Sequence, residues 1–151
     1  MEPLLHLDYV INKEVLLKDV EKCKDFFIPH RHSISNTETR HFLVIPYRSD
    51  YVNKIIDDIG IPNIVYTSFY RLLANTVLPM HVDHGGTMCS VNFVLSSDPA
   101  PITIENKDYL YESALLNTTA RHGVTNNSSE RILLKISSGT PYEEVANMIK
   151  Y

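Results

Sequence analysis

Cysteine is scarce in this chain of 151 residues: there are two, Cys23 and Cys89, far apart and in unlike contexts. They supply neither a disulfide framework nor a thiolate zinc site, and each reads as a small core hydrophobe. Dense Lys/Arg runs are also missing, and the formal net charge is −4. No nucleic-acid partner is expected, because backbone binding rests on clustered positive charge. The "HRH" of His30 to His32, with Arg40 and Arg48, reads as scattered, solvated positives. No run approaches ~18 apolar residues, and "MEPLLHLDYV" lacks the basic and apolar regions of a signal peptide. The expectation is a soluble, cytoplasmic protein with no membrane partner. Repeats, low-complexity tracts and linkers are absent too. The 151 residues, 44% hydrophobic and 21% charged, fit one globular domain.

What is present divides in two. In "NKEVLLKDVEKCKDFF", Val15, Leu16, Val20, Cys23, Phe26 and Phe27 form a helical stripe, with Asn12 as N-cap and Pro29 closing the segment. "SDYVNKIIDDIGIP" predicts a second helix, capped by Ser49 or Asp50, packed through Val52, Ile55, Ile56 and Ile59, and stopped by Gly60. "HFLVIPYR" between them reads as a short strand. From about Ile64 the chain becomes a series of short β-branched or aromatic segments separated by Pro, Gly, Asn and Ser. That cadence belongs to an all-β sandwich or barrel. "TPYEEVANMIK" returns to helix, with Thr140 as N-cap, Pro141 at the first helical position and Glu143 closing a capping box. The expected architecture is mainly β, about eight short strands with helices on one outer face.

The chemistry concentrates in "PMHVDHGG", Pro79 to Gly86. On a strand His81 and Asp83 project from the same face, while His84 falls on the turn that follows, as a surface residue or a substrate contact. The alternative is a strand end that happens to carry polar side chains. His122, in "NTTARHGVTN", lies on a late strand that a folded sandwich can bring near an early one. It is either structural or the third member of the set. Two His and one carboxylate with open positions suit non-haem Fe(II). Arg131 opens "RILLKIS"; its planar fork suits a carboxylate, or it is a surface residue paired with Glu130. Along that strand Leu133 and Lys135 share the face of Arg131, with Lys135 expected near the cavity exit. Ile132, Leu134 and Ile136 face the other way, toward covering helices. On "MCSVNFVLS", Cys89, Val91, Phe93 and Leu95 share one face, and Ser90, Asn92 and Val94 the other, likelier to be the cavity wall. His30 and His32 read as loop residues, and His6 and His41 have no partner signal.

"HVD", then "LLNTTARHGVTNNSSERILLKIS", on this strand cadence, resembles the Fe(II)- and 2-oxoglutarate-dependent oxygenases over about Tyr70 to Ser137. The late block is most similar to members that hydroxylate aspartyl, asparaginyl or prolyl groups, including free amino acids. The resemblance implies a double-stranded β-helix of the jelly-roll, cupin-like type. The chain then reads as one domain over 1–151: helical and strand support in 1–63, the jelly-roll core in 64–138, and the C-terminal helix in 140–150. It also implies that His81, Asp83 and His122 hold Fe(II), and that Arg131 binds the distal carboxylate of 2-oxoglutarate, with O2 as the other cosubstrate. The R-x-S pattern of some members is absent, since Leu133 holds that place; Asn92 and Tyr70 are the candidate second contacts. The implied function is hydroxylation of an unactivated C–H in an amino acid, peptide or other small substrate. Arg71, His84 and Arg121 are candidate substrate contacts, or solvated surface residues. So short a chain leaves little material for a lid, which favours a small ligand, an exposed peptide, or a homodimer in which the partner subunit closes the site. A cupin-like metal enzyme without an oxidative step, and a degenerate binding module on the same scaffold, are the alternatives.

Overall fold

The computed structural model describes residues 1–30, 42–97, 99–149 and 151, so His32, Arg40 and His41 lie outside the described residues. Three short strands accompany the N-terminal helices: β1 (Leu4–His6), β2 (Ile28–Pro29) and β3 (Phe42–Pro46). Eight more follow: β4 (Ile64–Leu72), β5 (Val77–His81), β6 (Cys89–Val94), β7 (Ile102–Ile104), β8 (Lys107–Tyr109), β9 (Ser113–Leu116), β10 (His122–Thr125) and β11 (Arg131–Ser138). They form two antiparallel sheets. The larger runs β1-β9-β6-β11-β4-β3-β2 and the smaller β5-β10-β7-β8. Helices α1 (Lys13–Cys23), α2 (Asp50–Ile59) and α3 (Tyr142–Met148) complete the described elements. None is long and apolar enough to cross a membrane.

Strand parity decides what each face of the larger sheet does. Phe69, Val91, Phe93, Leu134 and Ile136 point outward and pack with Leu16 and Val20 of α1 and Val52, Ile55, Ile56 and Ile59 of α2. Burying that many large apolar side chains, at about 1.5–3 kcal/mol each, is the main support of the layer. The inward face carries Tyr66, Ser68, Tyr70, Asn92, Arg131 and Lys135, which line a cavity of about 610 Å³ between the sheets. A second apolar cluster, including Leu72, Val94, Ile102, Ile104, Leu116 and Val124, joins the two sheets.

Local signals hold at most helix ends. The Asn12 side chain accepts from Val15 N (3.3 Å), that of Ser49 accepts from Val52 N (3.1 Å), and Gly60 ends α2 at φ +83°. Two details differ from expectation. The first helix stops at Cys23 and tightens into a 3₁₀ turn over Lys24–Phe26, which turns Phe26 out of the core, 71% exposed. Thr140 does not cap α3: the helix begins at Tyr142 after Pro141, with no side-chain cap. The Thr140 backbone is engaged elsewhere, its carbonyl accepting from Cys89 Sγ (3.2 Å) and its N–H donating to Ser138 Oγ (3.2 Å).

Gly123 explains one glycine of the late block. A Cβ there would stand 2.6 Å from the Leu78 carbonyl and 3.1 Å from Met80 N, both on the paired strand β5. The β5–β10 register is irregular at this point, between His122 and Val124. Gly123→Ala must push the two strands apart, and is expected to cost about 1–3 kcal/mol. A urea unfolding midpoint unchanged from the parent chain would refute this.

Candidate metal centre

The β5–β10 ladder sets His81 directly opposite His122. Asp83 follows two residues after His81, held where its N–H donates to the Thr118 carbonyl (3.1 Å). His81 Nδ1–H donates to the Pro79 carbonyl (2.6 Å), and His122 Nδ1–H to the Ala120 carbonyl (2.8 Å). A carbonyl can only accept, so each ring carries its proton on Nδ1 and turns Nε2 toward the cavity. Both Nε2 atoms face the same oxygen, Asp83 Oδ1, at 3.5 Å from His81 and 3.1 Å from His122. The three ligand atoms lie within 4.8 Å of one another. With both rings neutral, three lone pairs converge on one point. Such an arrangement repels itself unless a proton or a cation stands among them. A divalent cation satisfies all three at once, and the donor set suits Fe(II), with positions left open.

The other carboxylate oxygen, Asp83 Oδ2, is held by Lys135 Nζ from the larger sheet. Burial alone would raise the Asp83 carboxyl. The neighbouring Lys135 ammonium is the largest influence in the other direction, and the group is held well below the usual carboxylate range. Burial likewise opposes the Lys135 ammonium, but Asp83 and Tyr66 hold its pKa above the ordinary value. Tyr66 and Tyr70 flank the ammonium, with ring centroids 5.8 and 5.6 Å from Nζ. Lys135 is therefore deep at the centre, not near an exit as its position along the strand suggests.

Arg131, 2% exposed, lies along the same strand face. Its guanidinium donates to the Ala100 carbonyl (2.6 Å) and to the Tyr111 hydroxyl (3.1 Å), and its Nε is buried without a partner. No carboxylate pairs with it among the described residues. Glu130, the expected surface partner, pairs instead with Arg71 (Nη2–Oε2, 2.8 Å). A buried cation without a counter-ion is costly, and no acid among the described residues offsets this one. Tyr111, which the sequence did not single out, links it to Asn92. The phenolic oxygen accepts from Arg131 Nη2 and from Asn92 Nδ2 (3.3 Å), so its own proton is left to donate elsewhere.

The remaining candidates divide. Asn92 and Tyr70 line the cavity, Tyr70 stacked on Phe42 with centroids 5.2 Å apart. Here burial and neighbouring Tyr66 push the Tyr70 phenol far above its usual range. His84 stands exposed at the cavity edge. Arg71 is on the opposite face of β4, its guanidinium 5.2 Å from the Phe27 ring centre, and Arg121 is exposed; neither lines the cavity. His30 does line it, packed against Phe42 and Tyr70 with centroids at 5.1 and 5.8 Å, and burial lowers its pKa. Its loop-like context gave no sign of that, since two stacking partners come from other strands.

Removing one member of a buried ion pair strands the other. In metal-free protein Lys135→Met is expected to cost about 3–5 kcal/mol. Combined with Asp83→Asn it should cost less than the two single changes together, read from a denaturation double-mutant cycle. Simple additivity would show that the pair contributes nothing.

No family model and no curated protein matches the chain. Solved structures do. A prolyl-4-hydroxylase from Pseudomonas putida superposes with TM-score 0.68 at 10% identity, covering 90% of this chain and 92% of that one. A Trichoplax adhaerens prolyl hydroxylase, in complex with a hypoxia inducible factor oxygen degradation domain peptide fragment, gives 0.68 at 12% identity, over 98% and 86%. HygX from Streptomyces hygroscopicus, with nickel and 2-oxoglutarate bound, gives 0.60 at 10% identity, over 89% and 82%. The chain has the double-stranded β-helix fold that these oxygenase-type structures share.

Proposed function

We propose that the chain is an Fe(II)- and 2-oxoglutarate-dependent dioxygenase that hydroxylates an unactivated C–H of an amino acid, peptide or other small substrate. One observation carries the reading. A His-Asp-His set with converging lone pairs opens into the same cavity as a buried arginine that has no acidic partner among the described residues. Fold likeness at this identity fixes no reaction, so the argument stands on these side chains. The matches are consistent with it: one neighbour holds 2-oxoglutarate and another a peptide.

Each residue then has a definite task. His81 and His122 present Nε2, and Asp83 presents Oδ1 while Lys135 restrains Oδ2. Arg131 takes the distal carboxylate of 2-oxoglutarate, and the Tyr111 hydroxyl is placed to donate to it, with Asn92 behind. Leu72, Leu78, Ile102, Val124 and Leu133 exclude water around them, which strengthens every polar contact inside. When bound, iron with 2-oxoglutarate and O2 supplies the oxidising power that no amino-acid side chain has. The protein's own contribution is to hold the open coordination face dry and aim one C–H bond at it.

Purified protein given Fe(II), ascorbate and 2-oxoglutarate should form succinate, and Asp83→Ala should not. Iron-loaded protein that neither binds nor consumes 2-oxoglutarate would end this reading. Arg131→Ala should weaken 2-oxoglutarate binding on the order of a hundredfold while metal affinity stays put. A metal enzyme without an oxidative step would instead be indifferent to 2-oxoglutarate and to Arg131→Ala.

A further inference from the structure

Residues 117–121 carry the chain from the larger sheet to the smaller one, between β9 and β10. Both ends of this crossover are tied. Asn117 N–H donates to the Pro3 carbonyl (2.8 Å), next to the β1–β9 ladder, and the Arg121 carbonyl accepts from Glu105 N–H (2.7 Å), between β7 and β8. Between the ties the Asn117 side chain shapes the backbone. Its Oδ1 accepts from Thr119 N–H (3.1 Å) and from the Thr119 hydroxyl (2.6 Å), which makes an Asx turn. The Asn117 carbonyl accepts from Ala120 N–H (3.3 Å) and closes it.

Two carbonyls of the turn take no part in those bonds, and both meet the candidate metal centre. That of Thr118 accepts from Asp83 N–H (3.1 Å), and that of Ala120 stands 2.8 Å from His122 Nδ1. Asp83 lies beyond the end of β5, so its backbone is held by this turn rather than by a ladder. His122 is the first residue of β10, and the carbonyl two residues before it sets the direction of its ring. Two of the three candidate ligands are thus referred to one short turn, and the turn to one side chain. His81 takes its reference elsewhere, from the Pro79 carbonyl on β5. A rotation of the Thr118–Ala120 backbone therefore moves Asp83 and His122 relative to His81, and such constellations tolerate only about 0.5 Å of displacement.

Resting on the metal centre of the function proposed above, we infer that Asn117 is a positioning residue for that centre. It touches none of the three donors and acts through the two carbonyls whose directions its side chain fixes. Thr119 is exposed, so water can take over its N–H when Oδ1 is removed. Loss of Oδ1 then loosens the turn without opening the core, and the spacing of Asp83 and His122 against His81 is what suffers.

The test titrates the full chain calorimetrically with Mn(II) alone, in about 1 M KCl so that a charge added at the turn is screened. Asn117→Ala should weaken Mn(II) binding about tenfold, the low end of what loss of an outer partner costs a metal site. Asn117→Asp keeps the Oδ1 acceptor and should stay within about threefold of the parent chain. Asn12→Ala removes a comparable cap from α1, far from the centre, and should leave Mn(II) affinity unchanged. Unaltered affinity in Asn117→Ala overturns the inference. So does an equal loss in Asn12→Ala, which would mark general destabilisation, and so does an Asn117→Asp chain as weak as Asn117→Ala. Should Asn117→Ala fail to fold, Asn117→Ser, whose hydroxyl accepts more weakly, takes its place and must still weaken Mn(II) binding. The parent chain is titrated first: no Mn(II) uptake there ends the proposed function and this inference together, whereas a binding parent with an indifferent Asn117→Ala ends this inference alone.

Discussion

The pairing of β5 with β10 is the constraint on which the centre depends. It sets His81 and His122 face to face across one ladder, with ring centroids 4.4 Å apart. Each ring is then oriented by a backbone carbonyl two residues before it on its own segment. The pairing tolerates no side chain at Gly123, where the β5 backbone comes too close. Two imidazole nitrogens able to bind a metal are thereby placed by strand pairing and by backbone carbonyls. Sites built on strands inherit the rigidity of the ladder.

The larger sheet answers from the other side. Strand β11 carries two chemistries at once. Leu134 and Ile136 anchor it to the helices, while Arg131 and Lys135 enter the cavity. Its two neighbours, β4 and β6, divide in the same way, which makes the sheet a partition between a dry apolar layer and the chamber that holds the polar site. Among the described residues no helix side chain lines the cavity, but without the helices' cover the outward apolar side chains would face water. Stability and site are thus separated by strand parity rather than by region of the chain.

Inside the chamber the electrostatics are arranged around Asp83. Its two oxygens have different tasks, Oδ1 toward the imidazoles and Oδ2 toward Lys135. That division restrains the carboxylate from rotating, the kind of restraint that outer partners exert on carboxylates able to bind a metal. Arg131 is treated differently: carbonyl and phenol oxygens hold it in place without neutralising it. One cation has an acidic partner, and the other has none among the described residues.

Much of this was legible in the residues. Period-two alternation on "MCSVNFVLS" and "RILLKIS" assigned faces correctly, because side-chain direction along a strand is a local property. Asn12, Ser49 and Gly60 marked helix ends for the same reason. Most of the failures were nonlocal. Thr140 had the chemistry of a cap, yet its backbone was claimed by Ser138 and Cys89. Nothing in "PHRHS" announced that His30 would stack on Phe42 and Tyr70, and Glu130 chose Arg71 rather than its neighbour Arg131. Tyr111 and Lys135 acquired their meaning from partners 20 and 52 residues away. Sequence alone thus determined which side chains share a face and which types could coordinate a metal, since both follow from local geometry and chemical identity. Only the tertiary structure decided which faces meet, and with them the depth of Lys135 and the isolation of Arg131, because charge pairing and burial depend on distances that no local spacing encodes.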